Sequence, residues 1–313
     1  FKRMPLVNEV SCTELFSNTG YGQCTFSPRE IFGMILVHPD FVITDSDIAT
    51  LQTFLTTASR NPNKGLRIRP IMGFVGATDN TAEAVTQTLG YGDILTLKDS
   101  PYAWNFTFLS GGTCLLSALR KLNGQKPYVI FIDKAYNFIG TAKSGGLGGV
   151  PTTNFWANPW NLNDGSGVAT TYNFDISFDA TYINERLAFI QTATLTDFDI
   201  SVVSGVQDVL IDVISSSAST IVVQLKDKCT GSTDFGALYS DELTNEAAWL
   251  AVEEDGTAQT IDAVAYNSTT KRYTLTFDPV RDAATILNLV DIDDLEGLGV
   301  TGYEGTAVTV VAP

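Results

Sequence analysis

The sequence predicts a mainly β protein in two parts, and three observations predict it. After residue 193, short apolar runs recur between turn clusters, the pattern of a β-sandwich. Between Thr170 and Phe178, Tyr172, Phe174, Ile176 and Phe178 alternate with Thr171, Asn173, Asp175 and Ser177, the period of a half-buried strand. The charge also divides: residues 1–193 carry 14 Lys/Arg against 15 Asp/Glu, whereas 194–313 carry 5 against 20, so −1 and −15 make up the net −16. Of the 313 residues 44% are hydrophobic, enough for two cores, and the expected domains are 1–193 and 194–313.

The first domain is expected to open on an extended arm, 1–30, where Pro, Gly and Ser interrupt isolated apolar residues. Ile31–Val37 reads as a strand or buried segment. A helix is expected over 45–59: Thr44 or Ser46 caps it, Asp45 and Asp47 suit its positive end, and Ile48, Leu51, Phe54, Leu55 and Ala58 form one stripe. Arg67–Val75, Ile94–Leu97 and Tyr102–Leu109 read as strands. A second helix over about 113–123 has Leu115, Leu116, Leu119 and Leu122 on one face and Gly124 as its stop. Tyr128–Ile132 and Tyr136–Ile139 read as strands joined around Asp133-Lys134-Ala135. The Gly-rich 144–167 segment, with Phe155, Trp156 and Trp160, is expected to be a long mobile loop. In the second domain the expected strands are Ile200–Val203, Val209–Ile214, Ile221–Leu225, Trp249–Val252, Ile261–Tyr266, Tyr273–Phe277, Ile286–Val290 and Ala307–Val311.

Composition narrows the chemistry. A pI near 4.3 opposes a general grip on nucleic-acid phosphates or anionic membrane. No apolar run is long enough for a transmembrane helix. His38, the one histidine, precedes Pro39 and reads as structural or surface. Ser144–Gly149 lacks the phosphate-loop pattern, and Gly73–Ala77 lacks the GxGxxG spacing. Asn161–Gly167 and Asp291–Gly297 cluster oxygen ligands suited to Ca²⁺, although turn chemistry accounts for both without a metal. No local pattern selects a carboxylate pair for glycoside hydrolysis. No cofactor or metal is expected, and no enzymatic activity. Cys12 and Cys24 are spaced to pair across a short loop, but the expected state of all four cysteines is the free thiol of a reducing cytoplasm.

Several segments occur in a telling order. A strand ends in a GAT-like turn, Gly76-Ala77-Thr78, and Thr88-Leu89-Gly90-Tyr91-Gly92 precedes another strand. Trp104-Asn105-Phe106-Thr107-Phe108 follows, then a helix closed by Leu119-Arg120-Lys121-Leu122-Asn123-Gly124. Tyr128–Asp133 and the amphipathic strand Tyr172–Phe178 complete the series. In this order residues 65–192 resemble the core of phage major tail tube proteins, especially those of phages infecting Bacteroidetes. The resemblance implies a β-barrel or sandwich with one or two flanking helices, joined into hexameric rings that stack around a DNA-conducting lumen. Residues 194–313 resemble the immunoglobulin-like domains that project from such tubes.

The resulting expectation is a virion structural protein of the tail, assembled in the host cytoplasm. Its partners would be copies of itself and other tail or head–tail proteins, with DNA passing unbound and no membrane contact. Candidate inter-subunit contacts are Phe155, Trp156, Trp160, Tyr172 and Phe174; candidate lumen-facing acids are Asp175 and Asp179. The arm 1–30 and loop 144–167 are expected to order only on assembly. The rival readings are an adhesin or glycan-binding module using the aromatics of 155–160, a capsid decoration or head–tail connector subunit, and a two-carboxylate hydrolase.

Overall fold

A computed structural model describes residues 8–9, 30–109, 112–159, 171–184, 186–192, 195 and 198–311. Two compact units are present: Phe1–Ser59 with Asn63–Val203, and Arg60–Pro62 with Ser204–Pro313. The division falls at Val203/Ser204, later than the change of charge, because Ile200 and Val203 belong to the first unit's core.

The strands of the first unit are β1 (Asn8–Glu9), β2 (Ile31–Val37), β3 (Val42–Thr44), β4 (Arg69–Met72), β5 (Phe74–Asp79), β6 (Val85–Thr88), β7 (Ile94–Lys98), β8 (Tyr102–Phe108), β9 (Tyr128–Asp133), β10 (Phe138–Lys143), β11 (Gly146–Gly148), β12 (Val150–Ala157), β13 (Tyr172–Phe178) and β14 (Leu187–Ile190). Its helices are α1 (Asp45–Ile48), α2 (Leu51–Ser59), α3 (Gly112–Arg120) and α4 (Ala180–Asn184). All strands except β6 and β7 join one folded sheet, with the path β1-β14-β10-β9-β12-β13-β8-β5 and β2 on the other edge of β9. Strand β12 pairs with β9 at Val150 and Pro151, passes a bulge between Thr152 and Asn154, and continues beside β13. The sheet thereby turns back over itself into two layers.

Burial follows from that folding. In β2 and β9 both faces are covered, which is why they read as continuous apolar runs. Met34, Leu36, Val129 and Phe131 face the inter-layer core with Phe106, Phe174, Ile176 and Phe178. Ile35, Val37, Ile130 and Ile132 face the opposite side, under Ile48, Leu51 and Leu55 of α1 and α2. Strand β13 covers one face only, and its buried residues are the alternating set read from sequence. Among the described residues no sheet closes into a barrel, so of the two expected forms the sandwich is the one observed.

Several segments differ from expectation. The 45–59 helix is broken at Ala49–Thr50 into α1 and α2. Thr44 donates its backbone N–H to the Asp47 carboxylate at 2.8 Å at the start. The 67–75 strand is broken at Gly73, whose φ of 84° turns the chain from β4 into β5. The largest correction is at 144–157, where a turn at Ser144-Gly145 leads into the paired strands β11 and β12 rather than a long loop. β11 lies between β10 and β3. A Cβ at Gly146 would collide with the Ile43 carbonyl oxygen, and one at Gly140 with that of Gly148. Glycine is there to let three backbones approach, a use that composition alone confuses with flexibility. The arm, apart from the β1 pair and Glu30, and residues 160–170 lie outside the described residues.

The second unit is a β-sandwich. β15 (Gln207–Ser216), β16 (Thr220–Asp227), β17 (Trp249–Glu253), β18 (Ile261–Asn267), β19 (Arg272–Phe277), β20 (Thr285–Leu289), β21 (Tyr303–Thr306) and β22 (Val308–Val310) form two sheets, ordered β18-β19-β16-β15-β21 and β17-β20-β22. Val209, Ile221, Val223, Leu225, Tyr273 and Leu275 from the larger sheet meet Trp249, Ala251, Leu287 and Leu289 from the smaller. Two short helices, α5 (Asp234–Leu238) and α6 (Ile292–Gly297), close the ends. Ile200–Val202 is a 3₁₀ turn rather than a strand, with Asp199 accepting from the Ser201 N–H. The Asp291–Gly297 cluster is α6 itself: Asp291 accepts from the Asp294 N–H at 3.0 Å, so capping explains that acid. Among the described residues no group of three or more metal-ligating side chains converges. Asn161–Gly167 falls outside them.

Both described cysteines are disulfide-bonded, Cys114 in α3 and Cys229 in the turn after β16. The expected free thiols are therefore overturned at these positions, because a count of cysteines carries no information on which ones meet. Cys12 and Cys24 lie outside the described residues.

Candidate assembly surface

The first unit exposes an unusual amount of apolar strand. β5 ends the sheet path, and among the described residues its one strand partner is β8. Phe74 is buried and anchors β5, whereas Val75, Ala77, Thr78 and Asp79 are exposed. Its outer edge therefore presents backbone donors and acceptors over several residues, a template for another strand.

Between β5 and β8 the chain leaves the sheet. Asn80 donates its N–H to the Ala103 carbonyl at 2.7 Å, and the Ser100 hydroxyl donates to the Glu83 carbonyl at 2.6 Å, which ties the base of the excursion together. Asp79 accepts from the Thr81 N–H at 2.9 Å. The Thr81 hydroxyl, then its N–H, hold that carboxyl below the usual range. Beyond the base, β6 and β7 form a hairpin that among the described residues pairs only within itself, closed by a turn in which Gly92 has φ 96°. Every residue of both strands is exposed. Tyr91 is 77% exposed and Ile94 70%, and Val85, Leu95 and Leu97 are exposed as well. Ile94 and Leu95 point to opposite faces, so neither face can be buried by turning the hairpin over. A two-stranded ribbon is marginal by itself, and a contiguous apolar patch of a few hundred Å² marks an interaction site.

The expected contact residues separate into two groups. Phe155 and Phe174 are fully buried and stack at 5.7 Å between centroids, and Tyr172 stacks on Phe108 at 5.4 Å. These three are core residues, because on β12 and β13 they occupy the inward parity; they are corrected here as inter-subunit contacts. Trp156, of opposite parity, is 47% exposed. Trp160 lies outside the described residues.

The two candidate lumen acids have different surroundings. Asp175 lies opposite Trp156 on the outer face and is half-buried. It accepts from the Asn105 amide at 2.8 Å and the Asn158 amide at 2.9 Å, so both its oxygens are engaged. Asp179 is exposed, and the Thr181 N–H and then its hydroxyl hold its carboxyl below the usual range. With Lys98, Asp99 and Thr153 it lines an open cleft of about 380 Å³ at the hairpin base.

Sequence reasoning placed a strand at Ile94–Leu97 but missed the hairpin as a surface. The available signal was the run Ile94-Leu95-Thr96-Leu97, apolar on both parities yet bounded by polar Gln87 and Asp93 and two glycines. His38, read as structural or surface, sits in a turn where its Nδ1 accepts from the Asp40 N–H at 3.2 Å. No helix among the described residues is long and apolar enough to cross a membrane. No family model matches the chain, and no curated protein matches it.

Proposed function

We propose that the chain is a self-assembling structural subunit of a phage tail tube, without enzymatic activity, whose first unit forms rings and whose acidic second unit faces solvent. The observation that supports this reading best is the β6–β7 hairpin beside the open β5 edge. One supplies exposed apolar strand and the other supplies an edge able to receive strand, so copies joined head to tail satisfy both. The near-neutral charge of residues 1–193 leaves such contacts unopposed, while the −15 of 194–313 favours an outward, solvated position. DNA would pass without specific binding, repelled by the overall −16. Asp179 suits a lumen-facing role better than Asp175, whose oxygens the two asparagine amides already occupy.

Electron microscopy of the purified full chain tests the reading. Hollow rings or tubes are expected, and they should vanish in an Ile94→Asp/Leu97→Asp variant whose circular dichroism is unchanged. Monomers at every concentration would overturn it. Discrete closed oligomers without a lumen would move the assignment to a decoration or connector subunit. The exposed Trp156 beside Asp175 favours one other reading, a glycan-binding module. Glycan-array signal lost in Trp156→Ala would identify it.

A further inference from the structure

The outward face of β12, β13 and β8 sets one bare tryptophan in a field of side-chain amides. The registers Trp156↔Asp175 and Asp175↔Asn105 place these side chains in one row across the three strands. Neighbouring strands lie about 4.8 Å apart, so the row spans about 10 Å. Asp175 is the one ionisable residue among the outward positions of these strands, which otherwise hold Asn, Ser, Thr and Ala beside the tryptophan. Its two oxygens accept from the Asn105 amide at 2.8 Å and from the Asn158 amide at 2.9 Å. Each amide commits one N–H to that carboxylate and retains a second N–H and a carbonyl oxygen. Asn173 has the same parity on β13 as Asp175, and its side-chain oxygen is buried with no hydrogen-bond partner among the described residues. Trp156 is 47% exposed and packs against no other aromatic ring among the described residues.

An exposed indole offers a broad apolar plane, and the amides beside it offer donors and acceptors in directions that the Asp175 carboxylate fixes. A protein partner would need more apolar surface around the ring, since contact hot spots sit inside well-packed patches that exclude water. An anion would meet Asp175 with no cation on these strands to offset it. A ligand with an apolar C–H face and a rim of hydroxyls satisfies both halves of the site, because each hydroxyl donates and accepts. We propose that this face binds a neutral carbohydrate, one pyranose ring stacking on Trp156 and its hydroxyls bonding to the amides of Asn105 and Asn158. A hydroxyl that reaches Asn173 supplies the donor its buried oxygen lacks, and such an acceptor is costly to leave unpaired. The inference rests on the glycan-binding reading and gives it a site. It holds for a lone subunit as for an assembled one.

Saturation-transfer difference NMR on the full chain tests it, with the methyl glycosides of glucose, galactose, mannose and N-acetylglucosamine as probes and glycerol as the control. Saturation is expected to reach the ring hydrogens of at least one glycoside, more strongly on one ring face, and not to reach glycerol. Trp156→Ala should weaken binding about tenfold, the loss of one aromatic contact, and Trp156→Phe should keep part of it. The side chain is exposed, so both variants should match the parent by circular dichroism. A glycan array run on the same protein separates this face from the broader reading. Array signal that persists in Trp156→Ala keeps glycan binding but overturns this site, whereas no array signal and no saturation transfer overturn both. Transfer to glycerol equal to that of the glycosides, or transfer unchanged in Trp156→Ala, would likewise overturn the proposal. Assembly is read separately, by electron microscopy of the same sample.

Discussion

Arg281 shows most plainly how much one side chain can hold. It is 1% exposed, yet its guanidinium donates to the Thr285 hydroxyl at 2.9 Å, the Ser217 carbonyl at 3.2 Å and the Val311 carbonyl at 3.0 Å. It therefore joins the β15–β16 turn, β20 and the chain after β22. Removing it strands buried acceptors, so Arg281→Leu should lower stability by about 2–4 kcal/mol, measured as a shift in the urea midpoint of the second unit. Carboxylates act at the same scale on acid stability. Asp227 accepts from the Thr230 N–H at 2.6 Å, the Cys229 N–H at 2.9 Å and the Thr230 hydroxyl. The Thr230 N–H is the largest cause holding its carboxyl below the usual range. Asp79 and Asp179 are depressed in the same direction. A depressed folded pKa means that the stabilisation is fully present above the unfolded value of about 3.9 and is lost as pH falls through the folded one. Thermal melts should therefore be flat from neutral pH to about 5 and fall steeply below 4, and Asp227→Asn should flatten part of that fall.

At the scale of elements, legibility depended on whether a pattern has one physical cause. The alternation of β13 has one, a single buried face, and its residues were read correctly. The run at β2 has one, burial on both faces. Glycine has two opposite uses, freedom and closeness, and residues 144–149 could not be assigned between them from composition. Only the approach of the Ile43 carbonyl to Gly146 separates the two. Gly146→Ala should accordingly destabilise the first unit by about 1–3 kcal/mol, read by chemical denaturation, since backbone rather than a flexible side chain must yield. The hairpin was illegible for a different reason: Ile94, Leu95 and Leu97 have the composition of a core, and nothing local reveals that the other described residues leave them exposed. Because its base rejoins the sheet at Asn80 and Ala103, replacing residues 82–99 by a short turn should preserve the fold, as seen by circular dichroism. The same variant should sediment as a monomer.

At the scale of the whole molecule, the separation of charge would govern the proposed association. Acidic units that face one another resist close approach, and this repulsion reaches about 10 Å at 0.1 M salt and shortens as salt is added. On the proposed assembly, raising ionic strength should therefore enlarge assemblies in sedimentation velocity, because apolar hairpin contacts would persist while the opposing field is screened. Assembly that dissolves with added salt would show that ion pairs, not strand and apolar contacts, hold the copies together. The −1 and −15 split was visible in the bare sequence, but the geometric boundary was not. Ile200 and Val203 are apolar residues on the acidic side of the charge change that nevertheless complete the first core.

Strand β12 belongs to both layers, beside β9 at its start and β13 along the rest. A pull along it loads both layers in shear at once, so neither can be peeled open ahead of the other. The two layers are thereby tied to yield together under mechanical strain, at a force set chiefly by the longer row of bonds between β12 and β13.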